Sequence, residues 1–125
     1  MRYSIEIDHK LRLIRYKHPG KIRSEDIQDA WFEFLKMPEF TQNKYRLLSD
    51  YRGGKFQIQL NQLAEIIEFM RSIEDIVREK KQAIISDDPY SVAGSTLFKK
   101  RVYKETGFDI KVFTTETAAL KWLAE

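Results

Sequence analysis

The chain has no cysteine among its 125 residues. That one absence removes disulfides, thiolate zinc sites, iron–sulfur clusters and thiol nucleophiles together. It also fits a reducing compartment, so a cytoplasmic location is expected. Histidine is almost as scarce. His9 and His18 stand in turns with no second ligand at a metal-like spacing, and neither a metal nor a cofactor is expected. No apolar run approaches the ~18–20 residues needed to span a bilayer, so no integral membrane contact is expected. The opening MRYSIEIDHK alternates polar and apolar residues, where a secretion signal needs a continuous apolar stretch. Three prolines and five glycines are too few and too scattered to make a linker, so one domain over residues 1–125 is expected. An excess of one charge is missing too. The 22 basic and 19 acidic side chains are interspersed along the chain, leaving only +3, whereas nucleic-acid binders concentrate positive charge on one face. What is present is a hydrophobic fraction of 42% with 13% aromatics, enough for a folded core rather than a disordered chain.

Periodicity supplies the elements. Tyr3, Ile5 and Ile7 alternate with polar neighbours as in a half-buried strand. DHK turns the chain into a second strand, LRLIRYK (11–17), to form a hairpin. Pro19 and Gly20 break the pattern, and Ser24 is placed to cap a helix that Glu25 and Asp26 favour at its positive end. Ile27, Ala30, Trp31, Phe34 and Leu35 make that helix's apolar stripe before Met37-Pro38 stops it. YRLLSDY (45–51) reads as the third strand, and the spacing predicts one long helix over 60–79. QAIIS (82–86) resembles a buried central strand. Asp88-Pro89 then starts a helix that ends near Gly107. DIKVFTT (109–115) is the last strand, and ETAALKWLA the closing helix. The order β-β-α-β-α-β-α-β-α implies an α/β fold with a mixed five-stranded sheet, only its first strand antiparallel.

Parallel strands gather their carboxyl ends at one edge, where open α/β sheets bind ligands. The loops meeting there carry His18, Asp50, Arg52, Lys55, Ser86, Asp87 and Asp88, which are the candidate residues for binding a ligand or partner. Asp88 has a plain alternative as a helix cap, and Gly53-Gly54 as a turn permitting positive φ. A nucleotide-binding loop needs G-x-x-x-x-G-K-[ST]. Here Gly53-Gly54-Lys55 is followed by Phe56, without the earlier glycine or the hydroxyl. On the 89–106 helix, Lys99, Lys100, Arg101 and Lys104 spread around the circumference as a solvated face. Val92 and Tyr103 fall opposite the buried arc, as candidates for a subunit contact that would make a homodimer.

LLSDYRGGKFQI, the junction ISDDPYSVA and the ending DIKVFTTETAALKWL, taken with the order of elements, resemble the SpoIIAA-like family over nearly the whole chain. That resemblance implies the fold of the sulfate-transporter and anti-sigma-antagonist domains, itself similar to the lipid-binding Sec14/CRAL-TRIO domain. In the anti-sigma antagonists, a phosphorylatable serine lies at the start of the helix after the Asp-ended strand. Asp50 matches that Asp, but QIQLNQ (57–62) contains no Ser or Thr, so the phosphorylation switch is not carried over.

Three functions follow. The favoured one is a non-catalytic regulatory or protein–protein interaction module with an unidentified protein partner. The first alternative is a pocket for a small lipophilic or anionic ligand, which an apolar cavity would favour. The second is a small hydrolase, which would need His18, Ser86 and either Asp50 or Asp87 to converge.

Overall fold

The computed structural model describes residues 3–125, with side chains described outside residues 89–97. Its main sheet has five strands: β1 (Ser4–Asp8), β2 (Leu13–Lys17), β4 (Arg46–Asp50), β6 (Lys81–Ile85) and β7 (Asp109–Phe113), in that spatial order. β1 pairs antiparallel with β2, and the remaining neighbours are parallel. The mixed α/β sheet read from the periodicity is therefore the one observed. Two short strands were not anticipated. β3 (Gly20–Arg23) and β5 (Gly54–Gln57) form a separate parallel pair. They are continuations of β2 and β4, which are already neighbours, so their chains stay side by side beyond the main sheet.

The strand order never reverses, and this decides how the layers are filled. Successive right-handed crossovers that all step in one direction leave their helices on one face. Helices α1 (Ser24–Leu35), α3 (Leu60–Ser72) and α5 (Pro89–Thr106) are those crossovers. Their buried residues join Ile14, Tyr16, Leu47 and Ile110 of the strands in the larger core. Among the described residues, the other face carries only α6 (Glu116–Leu123), whose Ala119, Trp122 and Leu123 cover Leu13, Leu48, Ala83 and Ile85. The short α2 (Pro38–Thr41) seats Phe40 in the larger core.

Local chemistry moved several boundaries. α1 is capped by Arg23 rather than Ser24, because the Asp26 carboxylate reaches back to accept from the Arg23 N–H at 3.0 Å. Ser24 becomes the first helical residue. The helix expected over 60–79 is broken at Ile73, and α4 (Glu74–Val77) follows as a separate turn. At the break the Ser72 hydroxyl donates to the Phe69 carbonyl at 2.6 Å, and the Ile73 N–H bonds Met70 instead. Such back-bonding competes with the helical ladder. Leu60, the first residue of that helix, is 85% exposed. The first hairpin turn runs to Arg12, so Leu11 belongs to the turn and is exposed. Gly107 does end α5 with φ +76°.

Lys44 holds φ +62°, a conformation that crowds Cβ against the carbonyl and costs an L-residue about 1–2 kcal/mol. Its side chain is exposed. Lys44→Gly is expected to stabilise the protein by about 0.5–1 kcal/mol, after the greater unfolded-state freedom of glycine is subtracted. Chemical denaturation reads this as a higher midpoint at unchanged slope. Arg12, at φ +57°, is a poorer test because its guanidinium also donates to the Asn43 carbonyl at 2.7 Å.

Candidate functional site

The strand ends do form a shared rim. Past β2 the His18 N–H donates to the Asp50 carbonyl at 3.0 Å, and past β4 the Tyr51 N–H donates to Ile85 at 2.8 Å. The Arg52 guanidinium grips Asp50 with two bonds, of 3.0 and 2.7 Å. Partial burial works to raise the Asp50 pKa, but the hydrogen bonds and charge of Arg52 outweigh it and hold the carboxyl below its usual range. Asp87 is exposed and accepts from the Gly53 N–H at 3.3 Å. Lys55 is exposed on β5.

Two rim residues turn inward. His18 is fully buried, its Nδ1 sharing a 2.7 Å hydrogen bond with the Tyr16 hydroxyl. Its ring lies among those of Tyr3, Tyr16 and Tyr51, with Nε2 4.0 Å from Asp26. Burial pushes the Tyr16 phenol well above its ordinary pKa, so it keeps its proton. Ser86 is 2% exposed, and its hydroxyl accepts from the Asp88 N–H at 3.3 Å. The histidine of the suggested Ser86–His18–Asp relay thus faces Asp26 inside an aromatic cluster, not Asp50 or Asp87 at the rim. Of the two candidate contact residues on α5, Tyr103 is exposed. The side chain of Val92 lies outside the described residues.

The Gly53-Gly54-Lys55 loop turns the chain and uses its own donors. Gly53 holds φ +76°, and its N–H already serves the Asp87 carboxylate. The Gly54 N–H closes back on the Tyr51 carbonyl at 2.9 Å. Gly54 is not a positive-φ residue, contrary to the turn expectation. It is required for close approach, since a Cβ there would lie 2.9 Å from the Tyr51 carbonyl oxygen and 3.0 Å from that of His18.

Below the rim, between the sheet and the three crossover helices, lies a cavity of about 280 Å³. Ile27 and Trp31 of α1, Leu63, Ile66 and Met70 of α3, and Phe98 of α5 make its helical walls. Ile84 and Ile110 form the sheet floor, and Phe56 and Ile58 close one side. Beside the indole N–H of Trp31, the lining residues with polar side chains, among the described residues, are Tyr51, Gln82 and Asp88. Burial raises the Tyr51 phenol pKa, keeping the group neutral. The Gln82 amide nitrogen donates to the Ser49 hydroxyl at 2.9 Å, which fixes the orientation of that side chain. Sequence reasoning looked to the rim because ligand crevices open at strand ends where strand order reverses. No reversal occurs here, and the open space falls inside the thicker layer instead. No motif could have announced it, because the lining comes from scattered single residues that all read as ordinary core.

A family model described as SpoIIAA-like matches residues 13–124. The chain belongs to the SpoIIAA-like family. Its fold is similar to the crystal structure of a DUF3478-family protein with a SpoIIAA-like fold from Shewanella loihica PV-4. The TM-score is 0.63 at 17% identity, over 97% of this chain and 93% of that one. None of the curated proteins compared matches the chain. Membership accounts for the SpoIIAA-like layering described above. No helix among the described residues is long and apolar enough to cross a membrane.

Proposed function

We propose that this SpoIIAA-like protein is a non-catalytic module that takes a small lipophilic ligand into the cavity and presents the result at its rim. The observation that carries this reading is the apolar space of about 280 Å³. Protein interiors pack to crystal density, with few voids larger than a water molecule. Keeping such space open forfeits dispersion contacts that an apolar guest would restore. An engineered apolar cavity of ~150 Å³ takes up benzene, so this one suits a guest of roughly twice that bulk. Asp88 ties cavity to rim: it lines the first, and its backbone N–H bonds the Ser86 hydroxyl of the second. The regulatory or interaction role suggested by the sequence then becomes a ligand-dependent one.

The fluorescent apolar probe N-phenyl-1-naphthylamine tests this. Saturable binding at about one site per chain is expected. Leu63→Trp, which fills the space from α3, is expected to weaken it about ten-fold while the thermal midpoint stays within a few degrees. Arg52→Ala at the rim is expected to leave probe affinity unchanged. Unsaturable binding, or a Leu63→Trp variant that binds like the parent, defeats the proposal.

A further inference from the structure

Gln82 gives the cavity a polar anchor, which deepens the ligand reading and rests on it. The residue stands on the central strand β6, 5% exposed, between Leu47 of β4 and Ile110 of β7. An amide on that apolar floor is costly unless its donors and its acceptor are paired. Among the described residues one donor is paired, Nε2, which gives a 2.9 Å hydrogen bond to Ser49 Oγ. Ser49, itself 1% exposed, also donates to the Tyr51 phenol oxygen. A hydroxyl has a single proton. Ser49 therefore accepts from Gln82, and the amide does not turn over to offer the serine its oxygen. That oxygen is left as an acceptor on the cavity lining, where no described residue donates to it. Tyr51 lines the cavity as well and keeps its own proton as a donor. Acceptor and donor are thus held close together, tied through one serine.

The rest of the lining sets the charge of the guest. Asp88 already has interactions of its own within the protein. Among the described residues the lining has no lysine, arginine or histidine, and the stretch PYSVAGSTL at 89–97 contains none. An anionic head would lose its hydration with no cation there to replace it. We propose that the cavity takes neutral lipophiles with a hydroxyl head, alcohols or phenols, whose O–H donates to the Gln82 side-chain oxygen and whose own oxygen accepts from Tyr51. The apolar body of the guest fills the space between Trp31, Leu63, Met70 and Phe98.

The test compares 1-naphthol, 1-methoxynaphthalene, naphthalene and 1-naphthoate at pH 7 by titration calorimetry. The naphthol is neutral at that pH, as a tyrosine phenol is, and the naphthoate is anionic. The methyl ether has the same rings but no proton to give. 1-Naphthol is expected to bind at least about five-fold more tightly than its ether and than the naphthoate. Gln82→Leu keeps a side chain of similar volume without the oxygen. It is expected to bring naphthol within about two-fold of the ether. Should the variant not fold, the parent comparison decides alone. Ether or naphthoate binding as tightly as naphthol, or an unchanged naphthol-to-ether ratio in folded Gln82→Leu, overturns the head-group assignment and leaves the apolar pocket standing. Failure of all four compounds and of the naphthylamine probe removes the pocket, and this inference with it.

Discussion

Replacing Trp31 with alanine is expected to cost about 3–5 kcal/mol, a large share of the 5–15 kcal/mol by which domains of this size are stable. Trp31 is 3% exposed and stands at the centre of the larger core. Its ring meets Phe34, Phe40 and Phe108 edge to face, at centroid distances of 5.4 to 5.7 Å, and Phe69 at 6.5 Å. These neighbours come from α1, α2, α3 and the approach to β7, so one ring ties four parts of the chain. Its removal deletes both the buried area and the edge-to-face contacts of several partners. Trp31 also borders the cavity, so its removal enlarges a space that is already open. The thermal midpoint is expected to fall by roughly 15 °C. Trp31→Phe, which keeps an aromatic edge, is expected to lose about half as much. A drop of only a few degrees for the alanine variant would show that this ring is not the keystone described.

Gly54→Ala is expected to be the next most damaging change, at about 2–3 kcal/mol. A Cβ at that position would lie 2.7 Å from Ile22 Cδ1 as well as within 3.0 Å of two backbone carbonyl oxygens. The isoleucine tip can rotate away, but the carbonyls of Tyr51 and His18 cannot move without disturbing the β3–β5 pair. The informative control is its neighbour. A Cβ on Gly53 would meet nothing within 4 Å, but the residue holds φ +76°. Gly53→Ala is therefore expected to cost about 1–2 kcal/mol from backbone strain alone. Urea denaturation of the two variants compares these costs directly. Equal losses would mean that close approach at Gly54 has no weight of its own.

The fold was legible where a pattern repeats over several residues. Ile5 and Ile7 identify β1, Leu13, Ile14 and Tyr16 identify β2 as a strand covered on both faces, and the stripe through Ala30, Trp31 and Phe34 identifies α1, because burial imposes a period of two on a strand and of 3.6 on a helix. Elements whose existence depends on a distant partner were not legible. β3 and β5 have four residues each, and neither carries an alternating signal strong enough to stand out. They form because the ends of β2 and β4 leave the sheet side by side. The helix break at Ile73 was hidden for a related reason: apolar residues continue at helical spacing through it, while the feature found there is a side-chain bond from Ser72 to the Phe69 carbonyl.

Site residues divide the same way. That residues 50, 52 and 87 share a rim follows from parallel strands joined by helices, and topology alone carries that inference. That His18 faces inward follows from packing, since the same turn could have left its ring in water. The cavity is the furthest removed from sequence. It depends on three helices stacking on one side of a sheet whose order never reverses, and on how far short their side chains fall of filling the gap.

By itself the sequence determined the class of fold, the strand directions and the family, because alternation, helical stripes and turn residues are local consequences of which groups leave water. Only the tertiary structure decided where empty space remains and which charges border it. Volume and field at a point are sums over residues far apart in the chain, and no short stretch carries them.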